Sequence, residues 1–461
     1  MKNKNCIVVG SGLTGLFSSI LLADIFENVY VIEKENICGG LLSSIKDDSG
    51  IIYDQGTHIP DLTQNKEIDK ILFGDFKERE KNWNMLGISR SGNYFNGQMN
   101  EKNPMIDTRS LPSDIYQKGI LELLTLTEKS SSTKLDEFMN ETIGSTFTKN
   151  ICAPVVRKFY DVELSELTSE NFIKYVGLSR FIGLNPSATM LLKNISVYDE
   201  KLAFHSVDDY LDSLENSNEE YGINLYPKKD GVNYWINYLE SKARKKGVNI
   251  IFGETVKLLN HSGNKINSIE LGVSGKKIDC DFIVWSAPPN LALSAAGIES
   301  KKAIVNFRST SIFHFSFDRL EVNDKLHYLW NWDKEYQHYR ITLYPNLRPN
   351  IAPSENNISV EVMSSLEELE SINSDDIYKE LISIGIIDDS TKVLSKKRQN
   401  IKVTFPIPTF DFDSAIKENH QLLSSSFENI MLSGRYGGKS WFHRDVVKGA
   451  YLDIQKRFGI N

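Results

Sequence analysis

The apolar positions near the start of the chain change their spacing twice. Residues 5–9 are predicted to form a short strand, because residues 6–9 are continuously apolar, as is typical of a strand buried in a parallel sheet. Over residues 13–26 the apolar positions recur at helical spacing, and residues 29–32 form a second continuous run. This pattern predicts a β-α-β unit within about the first 35 residues.

Further along, the pattern predicts a mixture of strands and helices. A glycine-rich loop and a strand pair are expected over residues 39–60, and mostly helical structure over residues 115–143. Later helices are predicted over residues 232–246 and 445–458. The later predicted strands lie at residues 221–227, 248–252, 266–271, 282–285, 313–317, 339–343 and 358–362.

Length, charge and cysteine spacing exclude several classes of protein. The chain of 461 residues is too long for one hydrophobic core and suits two intertwined domains. A net charge of -8 without a basic patch argues against nucleic-acid partners, and no apolar run approaches the length of a transmembrane span. The cysteines form no C-x-x-C pair, so neither a metal site nor a disulfide framework is expected. We therefore expect a soluble, cytoplasmic protein.

A glycine motif follows the first predicted strand and opens the predicted helix. Gly10 permits a tight turn, Gly12 lets the backbone approach a diphosphate, and Gly15 lets helix and strand pack closely. Free N–H groups at the helix start favour the anion. Glu33 ends the second strand, where a carboxylate can accept hydrogen bonds from ribose hydroxyls and repels a 2′-phosphate. These features predict a Rossmann-like dinucleotide-binding domain.

A second set of residues favours FAD over NAD. The pair Gly39-Gly40 lies just after the ribose-binding strand, and the sequence Asp54-x-Gly56-x-His58 follows. With these motifs the chain resembles the superfamily of amine oxidases, protoporphyrinogen oxidases and UDP-galactopyranose mutases, and most closely its members from bacterial polysaccharide biosynthesis. The resemblance implies that FAD is the cofactor, that the glycine pair passes its diphosphate, and that the turn at His58 lies near the flavin.

The resemblance continues through the rest of the chain. Asp230 stands where the family's glycine-rich turn usually has a glycine, and Val256 lies in the segment whose backbone contacts adenine. The resemblance implies that Gly434 and Arg435 pass the FAD diphosphate or ribityl chain. It also implies that the helix starting near Asp445 points its N-terminus at the flavin, where its dipole stabilises negative charge.

The chain departs from the family at one point near this helix. It has His443-Arg444-Asp445 where members often have Asn-Met-Asp. The predicted cofactor-binding residues are Gly10, Gly12, Leu13, Thr14, Gly15, Glu33, Lys34, Gly39, Gly40, Leu41, His58, Val256, Gly434, Arg435, Asp445 and Val446.

The predicted fold class is α/β with α+β insertions. A Rossmann-like FAD-binding domain (residues 1–75, 222–300 and 420–461) is interleaved with a substrate and cap domain (residues 76–221 and 301–419). The resemblance implies that the second domain is built on a mostly antiparallel sheet plus a helical cap.

Several residues are candidates for the chemistry. His58 is expected either beside the isoalloxazine or as a hydrogen-bonded turn residue, and Trp441 either in the active site or in the core. Arg340 and Arg348 flank Tyr344, and this combination suits a diphosphate or carboxylate substrate; a solvated strand edge is the alternative. The predicted catalytic residues are His58, Arg340, Tyr344 and Trp441.

Three classes of function stay open at this point. The favoured one is an FAD-dependent oxidoreductase acting on a small or sugar-linked substrate, with surface polysaccharide biosynthesis as a candidate role. The second is a non-redox mutase that uses reduced flavin to isomerise a nucleotide sugar. The third is a non-catalytic binding protein of the same fold, similar to the escort proteins of prenylated GTPases. A homodimer is compatible with the sequence.

Overall fold

The computed structural model describes residues 3–170, 176–215, 222–302, 306–322, 324–348, 356–437 and 440–459. The strands are β1 (Asn3–Val9), β2 (Phe26–Ile32), β3 (Ser44–Lys46), β4 (Ile52–Asp54), β5 (Trp83–Gly87), β6 (Ser91–Phe95), β7 (Gln98–Asn100), β8 (Asn224–Pro227), β9 (Asn249–Ile251), β10 (Val256–Ser262), β11 (Lys265–Leu271), β12 (Lys277–Asp279), β13 (Phe282–Trp285), β14 (Phe307–Phe317), β15 (Tyr328–Asn331), β16 (His338–Leu343), β17 (Asn356–Ser364), β18 (Val393–Pro406) and β19 (Ile430–Leu432).

Helices connect and cover these strands. They are α1 (Leu13–Leu22), α2 (Lys66–Phe73), α3 (Phe76–Asn82), α4 (Ser113–Thr125), α5 (Leu135–Ile143), α6 (Ser145–Phe147), α7 (Ala153–Tyr160), α8 (Pro186–Lys193), α9 (Ser196–Asp199), α10 (Val207–Glu215), α11 (Asn233–Lys245), α12 (Pro289–Ala295), α13 (Tyr344–Leu347), α14 (Ser374–Ser383), α15 (Phe410–Ser426) and α16 (His443–Phe458).

A five-stranded parallel sheet has the order β19-β13-β1-β2-β9. At its centre Val8 pairs with Val31 on one side and Val284 on the other. Helices α1, α11 and α16 bury one face, and the antiparallel sheet β10-β11-β12 with α12 and α15 buries the other. Strands that are buried on both faces need continuous apolar runs, so this layered α/β arrangement accounts for the apolar runs in the sequence.

The predicted first helix was too long at its end. It was expected to reach Phe26, but α1 stops at Leu22 and Phe26 opens β2. The Phe26 ring is buried and stacks on Phe282 of β13, with ring centroids 6.2 Å apart. Apolar side chains such as Phe26 satisfy both periodicities, so only this cross-strand contact decides the boundary.

Two other expectations need correction. The helical region predicted over residues 115–143 is two helices, α4 and α5, because a polar loop separates them at residues 126–134. The strand predicted from residue 221 begins at Asn224, and Tyr221 lies outside the described residues.

A second sheet of seven strands has the order β18-β14-β17-β16-β15-β6-β7. Its neighbours are antiparallel except for the β15–β6 pair, so the expectation of a mostly antiparallel sheet is confirmed. Along β14 the side chains alternate: Phe313, Phe315 and Phe317 pack into a core with α14, whereas Thr310 and Ile312 face a cavity.

Helices α4 to α9 form a cap whose apolar core also includes Trp332 and Tyr339 from the side of the seven-stranded sheet. The strands of the five-stranded sheet lie in the segments predicted for the FAD-binding domain, and those of the seven-stranded sheet lie in the segments predicted for the substrate and cap domain. The division into two domains stays a proposal. Strand pair β5–β8 joins the two sets of segments. Among the described residues, each helix is too short or too polar to cross a membrane.

The contact between α1 and its preceding turn gives a stability prediction. A Cβ atom at Gly15 would lie 1.9 Å from the Gly10 carbonyl oxygen, so Gly15→Ala must displace the turn. We expect this variant to lose about 1–3 kcal/mol of unfolding free energy, as overpacked sites do. Chemical denaturation monitored by circular dichroism measures the change.

Gly449→Ala is the matched control. Gly449 also lies inside a helix, but a Cβ atom there would meet nothing within 4 Å. Replacing a helical glycine by alanine in open space is expected to stabilise by about 0.5–1 kcal/mol. Equal effects from the two substitutions would contradict the close packing of α1 on the Gly10 turn.

Candidate active site

The carboxyl ends of four parallel strands meet at one edge of the five-stranded sheet. β1 leads into the Gly10 turn, β2 into Glu33, β13 into Ser286 and β19 into Gly434. In open α/β sheets this edge is the place where ligands bind. The topology therefore brings the start, the middle and the last part of the chain to one site.

The glycine turn leaves space for a ligand at one position. Gly10 has φ +95°, a conformation that favours glycine, and its amide donates to the Ile32 carbonyl at 2.8 Å. A Cβ atom at Gly12 would meet only the Gly39 carbonyl oxygen, 4.0 Å away. Gly12 offers no side chain to cap the first N–H groups of α1, at Leu13 and Thr14. An open approach to free helix N–H groups fits a diphosphate.

Glu33 is buried beside this turn. Its Oε2 accepts hydrogen bonds from the backbone amide and the hydroxyl of Ser11, each at 2.7 Å, and its Oε1 accepts one from the Glu35 amide at 3.0 Å. A carboxylate has about four acceptor positions, so about one remains for a ribose hydroxyl. Glu33 therefore ties the turn to β2 as well as being placed to bind a nucleotide.

The glycine pair runs next to the turn. Gly39 (φ +120°) donates its amide to the Ser11 carbonyl at 3.1 Å, and Gly40 adopts φ +60°. Leu41 follows and is exposed at the cavity. Lys34 points into solvent and forms an ion pair with Glu35, which leaves its predicted cofactor contact without support from the structure.

The segment before Val256 lies alongside the end of β2. The Glu254 amide donates to the Glu33 carbonyl at 3.0 Å, and the Gly253 amide donates to the Glu35 carbonyl. Val256 then opens β10 and is partly buried. These backbone contacts bring the segment before Val256 next to Glu33, and the adenine contact of Val256 stays a prediction.

Gly434 lies close to the Gly10 turn because both contact the same residue. A Cβ atom at Gly10 would be 2.5 Å from the Ser286 hydroxyl, and one at Gly434 would be 3.5 Å from the Ser286 Cβ. The Ser286 hydroxyl also donates to the Val9 carbonyl at 2.6 Å. The two glycine turns, about 420 residues apart in the chain, are thus adjacent at the sheet edge.

Arg435 and Trp441 form one unit beside Gly434. The guanidinium lies 4.4 Å above the Trp441 ring, and its Nε donates to the Trp441 carbonyl at 3.2 Å. Both residues line the cavity. This arrangement favours the predicted site position of Trp441 over a position in the core.

Helix α16 begins at the same place. Its N-cap residue, Phe442, provides no side-chain hydrogen bond to the first turn. Val446 is buried, whereas Asp445 is partly exposed and lies 3.4 Å from Arg444. The free N–H groups at the start of α16 lie beside His443, at the wall of the cavity.

His58 and His443 face each other at this end of the cavity. Their ring centroids are 5.8 Å apart, and the His58 Nε2 lies 3.0 Å from the Gln55 carbonyl. Because a carbonyl only accepts, Nε2 carries the proton and Nδ1 is an acceptor. Desolvation, with Arg435 and Arg340 nearby, lowers the pKa of His58 to about 4. Desolvation also lowers the pKa of His443 well below its ordinary value, so both rings are neutral at neutral pH.

A cavity of about 410 Å³ extends from these histidines to the seven-stranded sheet. Aromatic side chains form much of its far wall. The rings of Trp330 and Trp332 are parallel and 4.9 Å apart, and Phe159 stacks on Trp332 at 5.8 Å. A mostly apolar pocket beside a cofactor cradle is the expected form of a small-molecule site.

Arg340 lies on the cavity wall, but it is paired. Its Nε and Nη2 each donate to Glu361 at 2.7 Å, and the Tyr339 hydroxyl and the Thr57 amide also donate to Glu361. Burial alone would raise the pKa of Glu361, but the Arg340 guanidinium together with the Tyr339 hydroxyl holds that pKa below its ordinary value. An anion that binds Arg340, as predicted, would therefore have to compete with the buried Glu361 carboxylate.

Tyr344 and Arg348 do not join Arg340 there. The buried Tyr344 hydroxyl accepts from the Asp54 amide at 2.8 Å and bonds to Ser359 at 3.0 Å. Arg348 stacks over the Tyr344 ring at 5.2 Å. Neither is among the residues that line the cavity in the described part of the chain. Tyr344 therefore packs against Asp54 outside the described cavity lining, and its catalytic role stays a prediction.

Two residues of the site were not among the predicted ones. Glu361 is a lone carboxylate in the apolar strand β17, a signal that sequence reasoning could have used. His443 occupies the position of the departure from the family pattern. Asp230 is a second departure from the family pattern. Its φ of +61° is a conformation that glycine prefers, which accounts for the glycine that is usual at this position.

The described residues contain no group of His, Cys, Asp or Glu side chains arranged to hold a metal ion. All four cysteines are buried free thiols. Burial raises the pKa of Cys38, the one beside the glycine turn, to about 12, which makes it a weak nucleophile.

Comparison with known proteins agrees with this geometry. Residues 8–72 match the family described as an NAD(P)-binding Rossmann-like domain. The chain is also similar to 1-hydroxycarotenoid 3,4-desaturase of Flavobacterium sp. (strain P99-3), at 23% identity over 282 residues. That match covers 58% of this chain and 53% of the relative, so the chain matches about half the length of this curated relative.

Solved structures match over the whole length. Reduced UDP-galactopyranose mutase superimposes with a TM-score of 0.72 at 15% identity, covering 100% of this chain and 95% of that structure. A protein proposed to be a protoporphyrinogen oxidase, from Exiguobacterium sp. 255-15, gives a TM-score of 0.67 at 14% identity, covering 99% of both chains.

The chain therefore has the fold of the FAD-dependent amine oxidase-like superfamily. The resemblance predicted from the sequence is therefore confirmed at the level of the fold, and FAD as the cofactor stays part of the proposal below. The residues that hold the cofactor, and the reaction, belong to the proposals below.

The lowered pKa of His58 gives a prediction on pH. The folded protein keeps His58 neutral down to about pH 4, whereas the unfolded chain takes up a proton below its ordinary pKa of 6.5. The contribution of His58 to the free energy of unfolding is therefore fully present above pH 6.5, and it is lost as the pH falls towards 4. When the pH is lowered from about 7 to about 5, the free energy of unfolding is expected to fall by about 2 kcal/mol less in His58→Gln than in the wild type.

Denaturant titrations at the two pH values measure this difference. His314 and His327, whose pKa values burial also lowers to about 4, contribute equally in both proteins and therefore cancel. An unchanged pH dependence in His58→Gln would show that His58 is not held neutral in the folded protein.

Proposed function

We propose that this chain is an FAD-dependent oxidoreductase that acts on a small-molecule substrate, with a sugar-linked one included. The observation that carries the proposal is the sheet edge where Gly12, Glu33 and Gly434 meet beside an apolar cavity. The oxidoreductase and mutase names among its relatives support an enzyme of this kind.

The proposal assigns residues to each part of the cofactor. The start of α1 suits the diphosphate, Glu33 the ribose, and the backbone near Val256 the adenine. Gly434 and Arg435 lie on the opposite side of the glycine turn, and the start of α16 lies at the cavity. When bound, FAD supplies hydride-transfer chemistry at its isoalloxazine ring.

His58 is a cavity residue whose hydrogen-bonding role is fixed. Its hydrogen bond to Gln55 fixes the tautomer, so Nδ1 is the acceptor. With a pKa of about 4 it is a neutral, weakly basic ring at physiological pH. We assign its Nδ1 to accept a hydrogen bond from the substrate, because burial and the nearby Arg435 and Arg340 disfavour a protonated ring. His443 lies beside the His58 ring, and Trp441 covers Arg435.

The mutase is the second candidate. The overlap with reduced UDP-galactopyranose mutase along the whole chain favours it. A nucleotide sugar brings a diphosphate, however, and the three residues predicted to bind it are poorly placed to do so. Arg340 is paired with Glu361, and Arg348 and Tyr344 lie outside the cavity. A role in surface polysaccharide biosynthesis belongs to the oxidoreductase proposal as well, because that proposal includes a sugar-linked substrate.

A redox experiment separates the candidates. The purified protein is loaded with FAD, and its visible spectrum is recorded under anaerobic conditions with candidate substrates. An oxidoreductase substrate bleaches the flavin, and oxygen or another acceptor restores the colour. Activity on a nucleotide sugar that appears only after dithionite reduction, without net oxidation, would instead establish the mutase. A protein that binds no added FAD would support the non-catalytic binding protein.

The proposal includes a cytoplasmic location and leaves a monomer and a homodimer open. Light scattering of the FAD-loaded protein measures the oligomeric state. Fractionation of the native cells tests the location.

Glu33→Ala gives a prediction on cofactor affinity. The substitution removes a carboxylate that holds Ser11 and has about one acceptor position left for a ribose hydroxyl. Loss of hydrogen bonds to a charged group is expected to cost about 1–3 kcal/mol of FAD binding. Titration of the apoprotein, followed by quenching of FAD fluorescence, measures the affinity.

Glu122→Ala is the matched control. Glu122 binds the amide and the hydroxyl of Thr146 in the helical cap, each at 2.8 Å, just as Glu33 binds those of Ser11. Its loss is expected to lower stability but to leave FAD affinity unchanged. Equal FAD affinities for Glu33→Ala and the wild type would exclude Glu33 from the cofactor site.

A further inference from the structure

The ion pair between Arg340 and Glu361 is built into the cavity wall. The two residues face each other in the β16–β17 register, and the guanidinium binds the carboxylate through two parallel hydrogen bonds of 2.7 Å. The Glu361 side chain is 3% exposed and that of Arg340 is 16% exposed. A paired geometry of this kind fixes both groups in place.

Further donors complete the coordination of Glu361. The Tyr339 hydroxyl donates to its Oε2 at 2.8 Å, and the amide and hydroxyl of Thr57 donate to its Oε1 at 3.1 Å. An incoming anion that recruits Arg340 would leave this buried carboxylate without its counter-charge, which is strongly unfavourable. The pair therefore opposes anionic ligands at this wall.

The surroundings of the pair are aromatic. The Arg340 guanidinium lies 5.3 Å from the centres of both the Trp330 and the Tyr339 rings. Trp332 and Phe159 extend the stack. Flat aromatic faces bind planar, π-rich groups of a ligand through offset or edge contacts.

The other titratable groups at the cavity add little charge near this wall. His58 and His443 are neutral at neutral pH. Arg435 stacks on Trp441 next to Gly434, at the end assigned to the cofactor. Within the described lining, Arg340 and Glu361 thus compensate each other where the aromatic wall stands.

We infer that the cavity takes an uncharged, π-rich apolar ligand, and that Glu361 sets this specificity by neutralising Arg340. The inference rests on the proposed function, because it names the substrate class of the cavity that adjoins the FAD site. Glu361 acts through Arg340 and is therefore a positioning residue.

Two fluorescent probes of the same skeleton test the inference on the FAD-saturated protein. N-phenyl-1-naphthylamine is uncharged, and 8-anilinonaphthalene-1-sulfonate carries one negative charge. We expect the wild type to bind the uncharged probe at least about tenfold more tightly. Trp330→Ala is expected to weaken that binding, which assigns it to the cavity.

Substitution of the pair tests the role of Glu361. Glu361→Gln keeps the shape and frees the charge of Arg340, so affinity for the sulfonate is expected to rise by about tenfold while affinity for the uncharged probe stays within about twofold. The double variant Glu361→Gln with Arg340→Met should return the sulfonate affinity to that of the wild type. Glu380→Gln, which changes a partly buried carboxylate bonded to His338 outside the cavity lining, is the matched control.

Several results would overturn the inference. These are tighter binding of the sulfonate by the wild type, uncharged-probe binding that Trp330→Ala leaves unchanged, or sulfonate affinities that Glu361→Gln does not alter. If Glu361→Gln does not fold, the double variant and the wild-type comparison decide. The visible flavin spectrum of each sample reports FAD binding separately, so a failure of the proposed function is distinguished from a failure of this inference.

Discussion

The parallel pairing of β19, β13, β1 and β2 is the constraint on which the site depends. Parallel strands place their carboxyl ends at one edge, so Gly10, Glu33, Ser286 and Gly434 become neighbours although they are far apart in the chain. Their contacts converge on two short polar groups, the Ser286 hydroxyl and the Glu33 carboxylate. Because backbone groups face this edge, an anion can be bound there without a dedicated cationic side chain.

The seven-stranded sheet supplies many of the side chains that determine which ligands the cavity can bind. Its face towards the cofactor site carries aromatic rings and one fully paired arginine, and the histidines at the junction are kept neutral by desolvation. A cavity with little net charge selects ligands by shape and apolar contact, since burying an unpaired charge there is costly. The fold therefore defines the cofactor region, whereas a few buried polar contacts define what can bind beside it.

Sequence reasoning succeeds where the chemistry is local. The glycine turn, Glu33 and the Gly434 segment can be predicted because turn geometry and strand ends leave short-range patterns. Arg340 could be selected as a cavity residue, but its partner could not, because the β16–β17 register that places Glu361 opposite it is set by the whole sheet. The contact of Tyr344 with Asp54 could not be predicted for the same reason, since it joins residues 290 positions apart.

A crystal structure of the protein grown with FAD tests the central claim most directly. We expect diphosphate density between the Gly12 turn and the Gly434 turn, ribose density at Glu33, and the isoalloxazine at the His58 end of the cavity. Density for FAD at any other surface, or a Gly434 turn separated from the Gly12 turn in the electron-density map, would contradict that claim.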